Sequence, residues 1–525
     1  MRPTIFLFLL VFLGWAAARP ATHQLTSAER LIRDGDKACR RWGEGERGKG
    51  CWKDRWEEQL KGVLANWGEF SEVSWSAEIN TANHAALSSI LTCLPYFSPS
   101  HDPSTPARCR TNMLTVILGA NWWLDLVLLN GGESGECVWL RTMVDTLREE
   151  GYTFLSVFHE NYAGMIKLYA AIPDVIHTIW GSEAMVISCM ADPRCRADFP
   201  EDEAPRGVHG VIPSWKMMTA TYWGAHESSW EFGQIPGDEF SFNPLGHEWA
   251  LVPFPYPGHT HIPFTLEKMC AKIPIVPPEE RVDEAVVLGK LTSYFYPDRT
   301  GGLSPPLAAW SQFHAQTGLY PIANARPLND DPSEPADTPA GVVNRGPVSR
   351  DEYTMEIGHA RVFIGIGMPA ISPSPYLALC QGVPALIPYD GDDPTPPGFQ
   401  LYNLGLTQHG PAALLGEPYV YSYKRKDMQS MFDAVKKAKA HPIKPYIPDE
   451  MRHDHVARLT LRMINRDWHG HSLSIEHARR RAGKPVRRKV PNHVVQRVFE
   501  NGWGMRMMPD ESVSKRLEDV WDKEL

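Results

Sequence analysis

Apolar positions in the middle of this chain fall into two alternating patterns. Short, continuous, β-prone runs occur at Thr115 to Leu118, Tyr152 to Phe158, Val175 to Trp180, Met217 to Trp223 and Leu251 to Phe254. They recur at Ala285 to Leu288, Leu319 to Ala323, Arg361 to Ile366 and Pro384 to Pro388. Runs that are apolar throughout and a few residues long predict strands buried on both faces, as in parallel sheets. Between them lie longer stretches with apolar residues three and four apart. In Cys137 to Glu150 the stripe is Val138, Leu140, Met143, Val144 and Leu147, and Gly151 supplies a stop. Ala308 to Thr317, Ser349 to Ala360 and Asp427 to Ala440 predict further helices.

Strand–helix alternation on this scale predicts doubly wound α/β units. The pattern runs twice, over 113–280 and 281–470. The expected fold is α/β, with two Rossmann-like domains facing a central cleft, the architecture called GT-B among sugar transferases. Residues 21–112 read as a helical preface, with helix-like spacing at Glu29 to Cys39 and Trp56 to Trp67 and a proline-rich stretch at Phe97 to Ala107. Residues 471–525 read as a tail with a basic run of Arg479, Arg480, Arg481, Lys484, Arg487, Arg488 and Lys489. That run suits a solvated surface, or contact with an anionic membrane.

Composition narrows the class. The chain has 525 residues, 43% hydrophobic and 22% charged, enough apolar material for two or three cores. A net charge of −9 gives no support to nucleic-acid binding. Arg2 followed by the apolar run Thr4 to Ala18, with small residues Ala16 to Ala18, reads as a secretory signal over 1–20. The rival is a short signal-anchor, which would hold the chain to a membrane if uncleaved. Either places the protein in the secretory pathway, in the Golgi lumen as a type II membrane protein or secreted. Nine cysteines agree with an oxidising compartment. Cys39, Cys51, Cys93, Cys109, Cys189, Cys195 and Cys270 are candidates for pairing, with Cys189–Cys195 the natural local pair. Cys137 and Cys380 fall in predicted helices and are expected free and buried. No Cys/His spacing matches a zinc site. Asp390, Asp392 and Asp393 resemble a metal-binding acidic triplet, but in a GT-B architecture they read as a loop.

Two turns carry candidate chemistry. After the strand Arg361 to Ile366, Gly365 and Gly367 permit a tight turn. Pro373, Ser374 and Pro375 then start a short helix, with Ser374 as the expected N-cap. A glycine turn running into a helix N-terminus suits a phosphate. The second turn is Asn130-Gly131-Gly132-Glu133-Ser134-Gly135-Glu136, where Glu136 opens a helix on a glycine loop. A carboxylate there could take a proton, or could merely favour the helix dipole.

Several blocks together resemble glycosyltransferase family 18. They are FIGIGMPAISPSPYLALCQG, Gln408-His409, KPYIPDEM, VVLGKLTSYFY, Pro347 to Arg361 and NGGESGECVWLRTMV, covering about 115 to 465. The resemblance implies a GT-B fold and an inverting transfer of N-acetylglucosamine. The donor would be UDP-N-acetylglucosamine or another nucleotide sugar, and the acceptor a glycan, a mannose of a glycoprotein. It implies no metal and no cofactor. It makes Glu136 the catalytic carboxylate on a loop with Gly131, Gly132 and Gly135. The donor would lie against Gly365, Gly367, Pro373, Ser374, Pro375, Leu377, Gln408 and His409. One departure is plain. Leu377 stands where the family has a glutamate that holds the donor ribose, and Ile371 is apolar where the family is acidic. Losing a charge-assisted hydrogen bond costs about 1.5–3 kcal/mol, about ten- to more than a hundredfold in affinity. A catalytically silent relative that binds glycans or partners is therefore the alternative expectation.

Overall fold

The structure is a computed structural model and describes residues 25–33, 51–70, 74, 76–97, 104–159, 161–200, 204, 206–222, 224, 242–256, 258–328, 335–369, 371–395 and 408–486. The expected signal over 1–20 and Arg487, Arg488 and Lys489 of the basic run lie outside these. No helix among the described residues is long and apolar enough to cross a membrane.

Two six-stranded sheets form, and every strand pair within them is parallel. The first contains β1 (Val116–Ala120), β2 (Thr153–Ser156), β3 (Ile176–Gly181), β4 (Met217–Ala220), β5 (Ala250–Val252) and β6 (Thr260–His261), in the order β2-β1-β3-β4-β5-β6. The second contains β7 (Glu284–Leu288), β8 (Tyr320–Ala323), β9 (Val343–Asn344), β10 (Val362–Gly365), β11 (Ala385–Tyr389) and β12 (Val420–Lys424), in the order β12-β11-β10-β7-β8-β9. Both orders reverse direction once. The reversal lies between β1 and β3 in the first sheet and between β7 and β10 in the second. In open α/β sheets such switch points open a crevice at the carboxyl ends of the strands. The molecule thus has the two-domain GT-B arrangement.

Burial follows the two-residue period of the strands. Val116, Leu118 and Ala120 of β1 face one core, and Ile117 faces another. On β7, Ala285 and Val287 point to an outer core with Trp310, Phe313 and Phe432, whereas Val286 and Leu288 point inward. The inward core is shared. It holds Trp139, Met143 and Trp249 from the first domain with Phe363, Leu379 and Cys380 from the second.

Two expected boundaries shift. The N-terminal preface is a layer of the first domain, because Trp52, Trp56, Leu87 and Ile90 share one core with Val116 and Leu118. Asn83 on the helix Ala77–Cys93 pins that layer to β2. It donates to the Ser156 carbonyl at 2.7 Å and accepts from the Ser156 N–H at 2.9 Å. At the other end, the helices His453–Ile464 and Trp468–Arg481 return to the first domain instead of ending the second one or starting a tail. Trp468 packs on Trp249 with ring centroids 5.1 Å apart. Arg479 donates to the carbonyls of Pro244 (2.9 Å) and Leu245 (2.6 Å). The start of the expected basic tail is thus built into the fold.

Cysteine pairing also departs from expectation at one place. Cys93–Cys109 and Cys189–Cys195 are bonded, and Cys137 is free and buried. Cys380, expected free, is bonded to Cys270 across the domain junction. Its helical position hid the partner, since Cys270 is 110 residues away.

Candidate functional site

A cleft of about 950 Å³ lies between the two domains, at the switch point of the second sheet. Its first wall comes from the loop that follows the helix Trp122–Leu128 and from the start of the helix Gly135–Glu149. The Ser134 hydroxyl caps that helix by accepting from the Cys137 N–H at 3.3 Å. Glu133, Ser134, Gly135 and Glu136 all line the cleft. Gly135 is tightly enclosed: a Cβ there would sit 2.6 Å from the Tyr222 hydroxyl and 3.1 Å from Cδ of Pro373 in the other domain. The first turn of this helix therefore almost touches the start of the helix Ser374–Cys380.

Glu136 has an acidic neighbour that no motif revealed. Glu183 follows Ser182 at the carboxyl end of β3 and opens the helix Glu183–Ala191, whose N-cap hydroxyl accepts from the Met185 N–H at 3.3 Å. It is hydrogen-bonded to Thr221 and lies within electrostatic reach of Glu136. Burial, with a smaller push from the Glu136 charge, raises its pKa above the ordinary carboxylate range. The folded chain thus holds the Glu183 proton at pH values where the unfolded chain has lost it. Stability must fall as pH rises through the raised pKa. Glu183→Gln removes that loss, so its thermal midpoint should exceed that of the native chain at neutral pH, and the gap should close in acid. An equal or lower midpoint at neutral pH would reject this.

The second wall comes from the carboxyl ends of β7, β8 and β10. Leu288, Gly289, Lys290, Asn324, Arg326, Met368 and Pro369 line it, followed by Ser372, Pro373, Ser374 and Leu377. The cleft carries four cations, Lys290, Arg299, Arg326 and Arg350, against two acids, Glu133 and Glu136. Both amide atoms of Asn324 are buried without a hydrogen-bond partner among the described residues.

The expected donor residues divide into two groups. Pro373, Ser374 and Leu377 line the cleft. Pro373, not Ser374, is the N-cap, and Ser374 is the first helical residue. Its N–H is taken by the Ser372 hydroxyl at 3.1 Å. Gly365, Gly367, Pro375, Gln408 and His409 lie behind that surface. Gln408 accepts from the Gly367 N–H at 2.7 Å and donates to the Pro369 carbonyl at 2.8 Å, which occupies both ends of its amide. Gly367 adopts φ +102°, and a Cβ there would sit 2.4 Å from the Leu303 carbonyl oxygen, so only glycine fits. Gly365 accepts from the Tyr423 hydroxyl at 2.7 Å. His409, itself at φ +48°, accepts from the Ser372 N–H at 3.1 Å through Nδ1. Burial lowers its pKa to about 3, so the ring is neutral and Nε2 carries the proton. Gln408 and His409 thus hold Gly367, Pro369 and Ser372 from behind.

Comparison with known proteins adds little to this geometry. No family model matches the chain, and no curated protein matches it. Among solved structures the chain is similar to a UDP-GlcNAc 2-epimerase from Methanocaldococcus jannaschii, with 8% identity over 66% of this chain and 98% of that one, and a TM-score of 0.35. It is similar to a Thermobaculum terrenum O-GlcNAc transferase mutant at 12% identity over 81% of each chain, with a TM-score of 0.29. It is also similar to Arabidopsis thaliana UGT89C1 complexed with UDP, at 11% identity over 75% of this chain and 100% of that one, with a TM-score of 0.25. At these scores the fold assignment rests on the two sheets themselves.

Contacts across the cleft tie the walls together. Arg350 opens the helix Arg350–His359, whose N-cap Ser349 forms a capping box with Glu352. Its guanidinium reaches the first domain and donates to the Gly132 carbonyl at 2.9 Å. Burial lowers the Arg350 pKa, and the Glu133 charge opposes that shift. Gly132 needs its φ of +79°, since a Cβ would strike the Cys137 sulfur. Gly131 accepts from Arg141. The Cys270–Cys380 bond and the Gln381 amide, which donates to the Cys270 carbonyl at 3.3 Å, fasten the base of the cleft. No cluster of three potential metal-binding side chains occurs among the described residues. Asp390 faces Arg425 at 3.8 Å and Asp392 faces Lys424 at 3.3 Å.

Sequence reading missed Glu183, Arg350, Asn324 and Tyr222. The last three carry no motif. Glu183 had one local signal, a serine helix cap directly before it at the end of a predicted strand.

Proposed function

We propose that this protein is an inverting glycosyltransferase of the family 18 type, moving N-acetylglucosamine from a UDP-sugar to a glycan acceptor in the secretory pathway. One observation carries the reading. Glu136 opens a helix whose first turn lies against Pro373, at the start of the helix facing it, in a cleft whose charged groups are mostly cationic. A base on one wall and charge for a diphosphate on the other is what a single displacement at an anomeric carbon needs. Glu136 takes the proton of the acceptor hydroxyl as that oxygen attacks the anomeric carbon. The bond from that carbon to the diphosphate breaks, and Lys290, Arg299, Arg326 and Arg350 stabilise the departing charge. This is a metal-independent reading, in keeping with the family resemblance.

Leu377 is the observation that favours the second reading, a silent glycan- or partner-binding relative. It lines the cleft and offers no hydrogen bond. The Arg326 guanidinium lines the same cleft and can take over a donor hydroxyl. Three disulfides among the described residues fit the secretory route.

Calorimetric titration of the purified chain with UDP and UDP-N-acetylglucosamine, without added metal, separates the readings. Binding of both supports the transferase. Binding of UDP alone points to another donor sugar. No binding of either at millimolar concentration rejects the transferase, and Leu377→Glu then tests whether that one position removed the site.

A further inference from the structure

A second cavity of about 460 Å³ adjoins the cleft on the first-domain side, and Glu133 and Arg350 line both. Its volume lies within the usual range for small-ligand pockets, about 300–1,000 Å³. Its charged lining is Arg141, Lys268, Lys272 and Arg350 against Glu133 and Asp145. Most of these charges are engaged. Lys268 pairs with Glu149 at 2.7 Å. Arg350 binds the Gly132 carbonyl and faces Glu133. Asp145 faces Arg148. Two cations remain. Arg141 donates through one nitrogen to the Gly131 carbonyl, but its Nε is buried without a hydrogen-bond partner. Lys272 is exposed at the rim and makes no ion pair among the described residues.

A guanidinium and an ammonium at one cavity suit a tetrahedral or planar oxyanion. We propose that this side cavity receives an anionic group, a phosphate, sulfate or carboxylate, carried by a sugar that enters the cleft from the Glu136 side. Arg141 and Lys272 bind the group. That this sugar is the acceptor rests on the transferase reading; the anion site itself does not.

The test is calorimetric titration of the full chain, saturated with UDP so that the donor lobe is filled. The probes are glucose 6-phosphate, glucose 6-sulfate and glucuronate, with glucose as the neutral control. At least one anionic sugar should bind ten times more tightly than glucose or better, and the ranking of the three identifies the group. Arg141→Gln should weaken that binding by about tenfold or more. Lys272→Gln, on the surface and away from the glycine loop, should weaken it by about two- to fivefold without touching the fold. Glucose binding as tightly as every anionic probe, no binding of any anion, or binding unchanged in both variants overturns the proposal. If UDP does not bind, the donor reading falls, and the same titrations on the free chain still judge the anion site.

Discussion

Glu136→Gln is expected to lower sugar transfer by about 100-fold or more, the usual scale for a positioned general base, while UDP affinity stays unchanged. Glutamine has nearly the same shape but cannot take the acceptor proton. The fold should survive. Glu136 sits in the first turn of a helix already capped by Ser134, so losing its charge costs about 0.3–1 kcal/mol of dipole interaction. Nucleotide binding should survive too, because the cations offered to the diphosphate belong to the second domain, on Lys290, Arg299, Arg326 and Arg350. The decisive pair of measurements is turnover with UDP-N-acetylglucosamine and calorimetric UDP affinity on the same preparation. Turnover retained would send the proton elsewhere and reject Glu136 as the base. Turnover and UDP affinity lost together would mean that the variant had moved the cleft walls, since Gly135 is pressed between Tyr222 and Pro373.

The second large effect is on stability in acid. His409 is 2% exposed and its pKa is lowered from 6.5 to about 3 by burial. The folded chain resists a proton that the unfolded chain accepts at 6.5. Stability is therefore full above that value and is lost as pH falls toward 3. Between neutral pH and about pH 4 the loss amounts to roughly 3 kcal/mol from this one ring. His177, lowered to about 3, and His159 and His261, each lowered to about 4, act in the same direction. Protonating His409 would also remove the Nδ1 acceptor from the Ser372 N–H, so the loop 367–374 should loosen before the rest of the chain. His409→Asn keeps a short acceptor and tolerates the left-handed backbone at φ +48°. Urea unfolding of both chains at neutral and acid pH should show the native chain losing about 3 kcal/mol more than the variant. An equal acid loss in the two would show that His409 does not carry the effect.

These predictions draw on different depths of the chain. The strand and helix pattern was written locally. Val116 and Leu118 alternate with Ile117 because one face of β1 meets the preface helices and the other meets the helix Gly135–Glu149. Runs such as Val286 to Leu288 are apolar throughout because parallel strands are buried on both faces. The glycine turn at Gly365 and Gly367 and the capped helix after Gly132 were equally readable, since backbone conformation and capping depend on a few neighbouring residues. The two α/β units, the cleft between them and the position of Glu136 at its edge were therefore legible in the chain.

Which distant groups meet there was set by long-range packing. Apolar periodicity says that the helix His453–Ile464 has a buried face, but not that this face returns to the first domain. A cysteine in a helix does not announce a partner 110 residues away. Gln408 and His409 read as ligands in the sequence. In the fold their polar atoms turn inward to hold Gly367 and Ser372. Glu183 and Arg350 gain their importance from neighbours 47 and more than 200 residues distant in sequence. The physical reason is the same in each case. Local sequence sets the conformation of an element through its own backbone and its nearest side chains. The partner of each face, charge and sulfur is chosen by the packing of whole elements, which minimises exposed apolar surface and unpaired charge over the entire molecule.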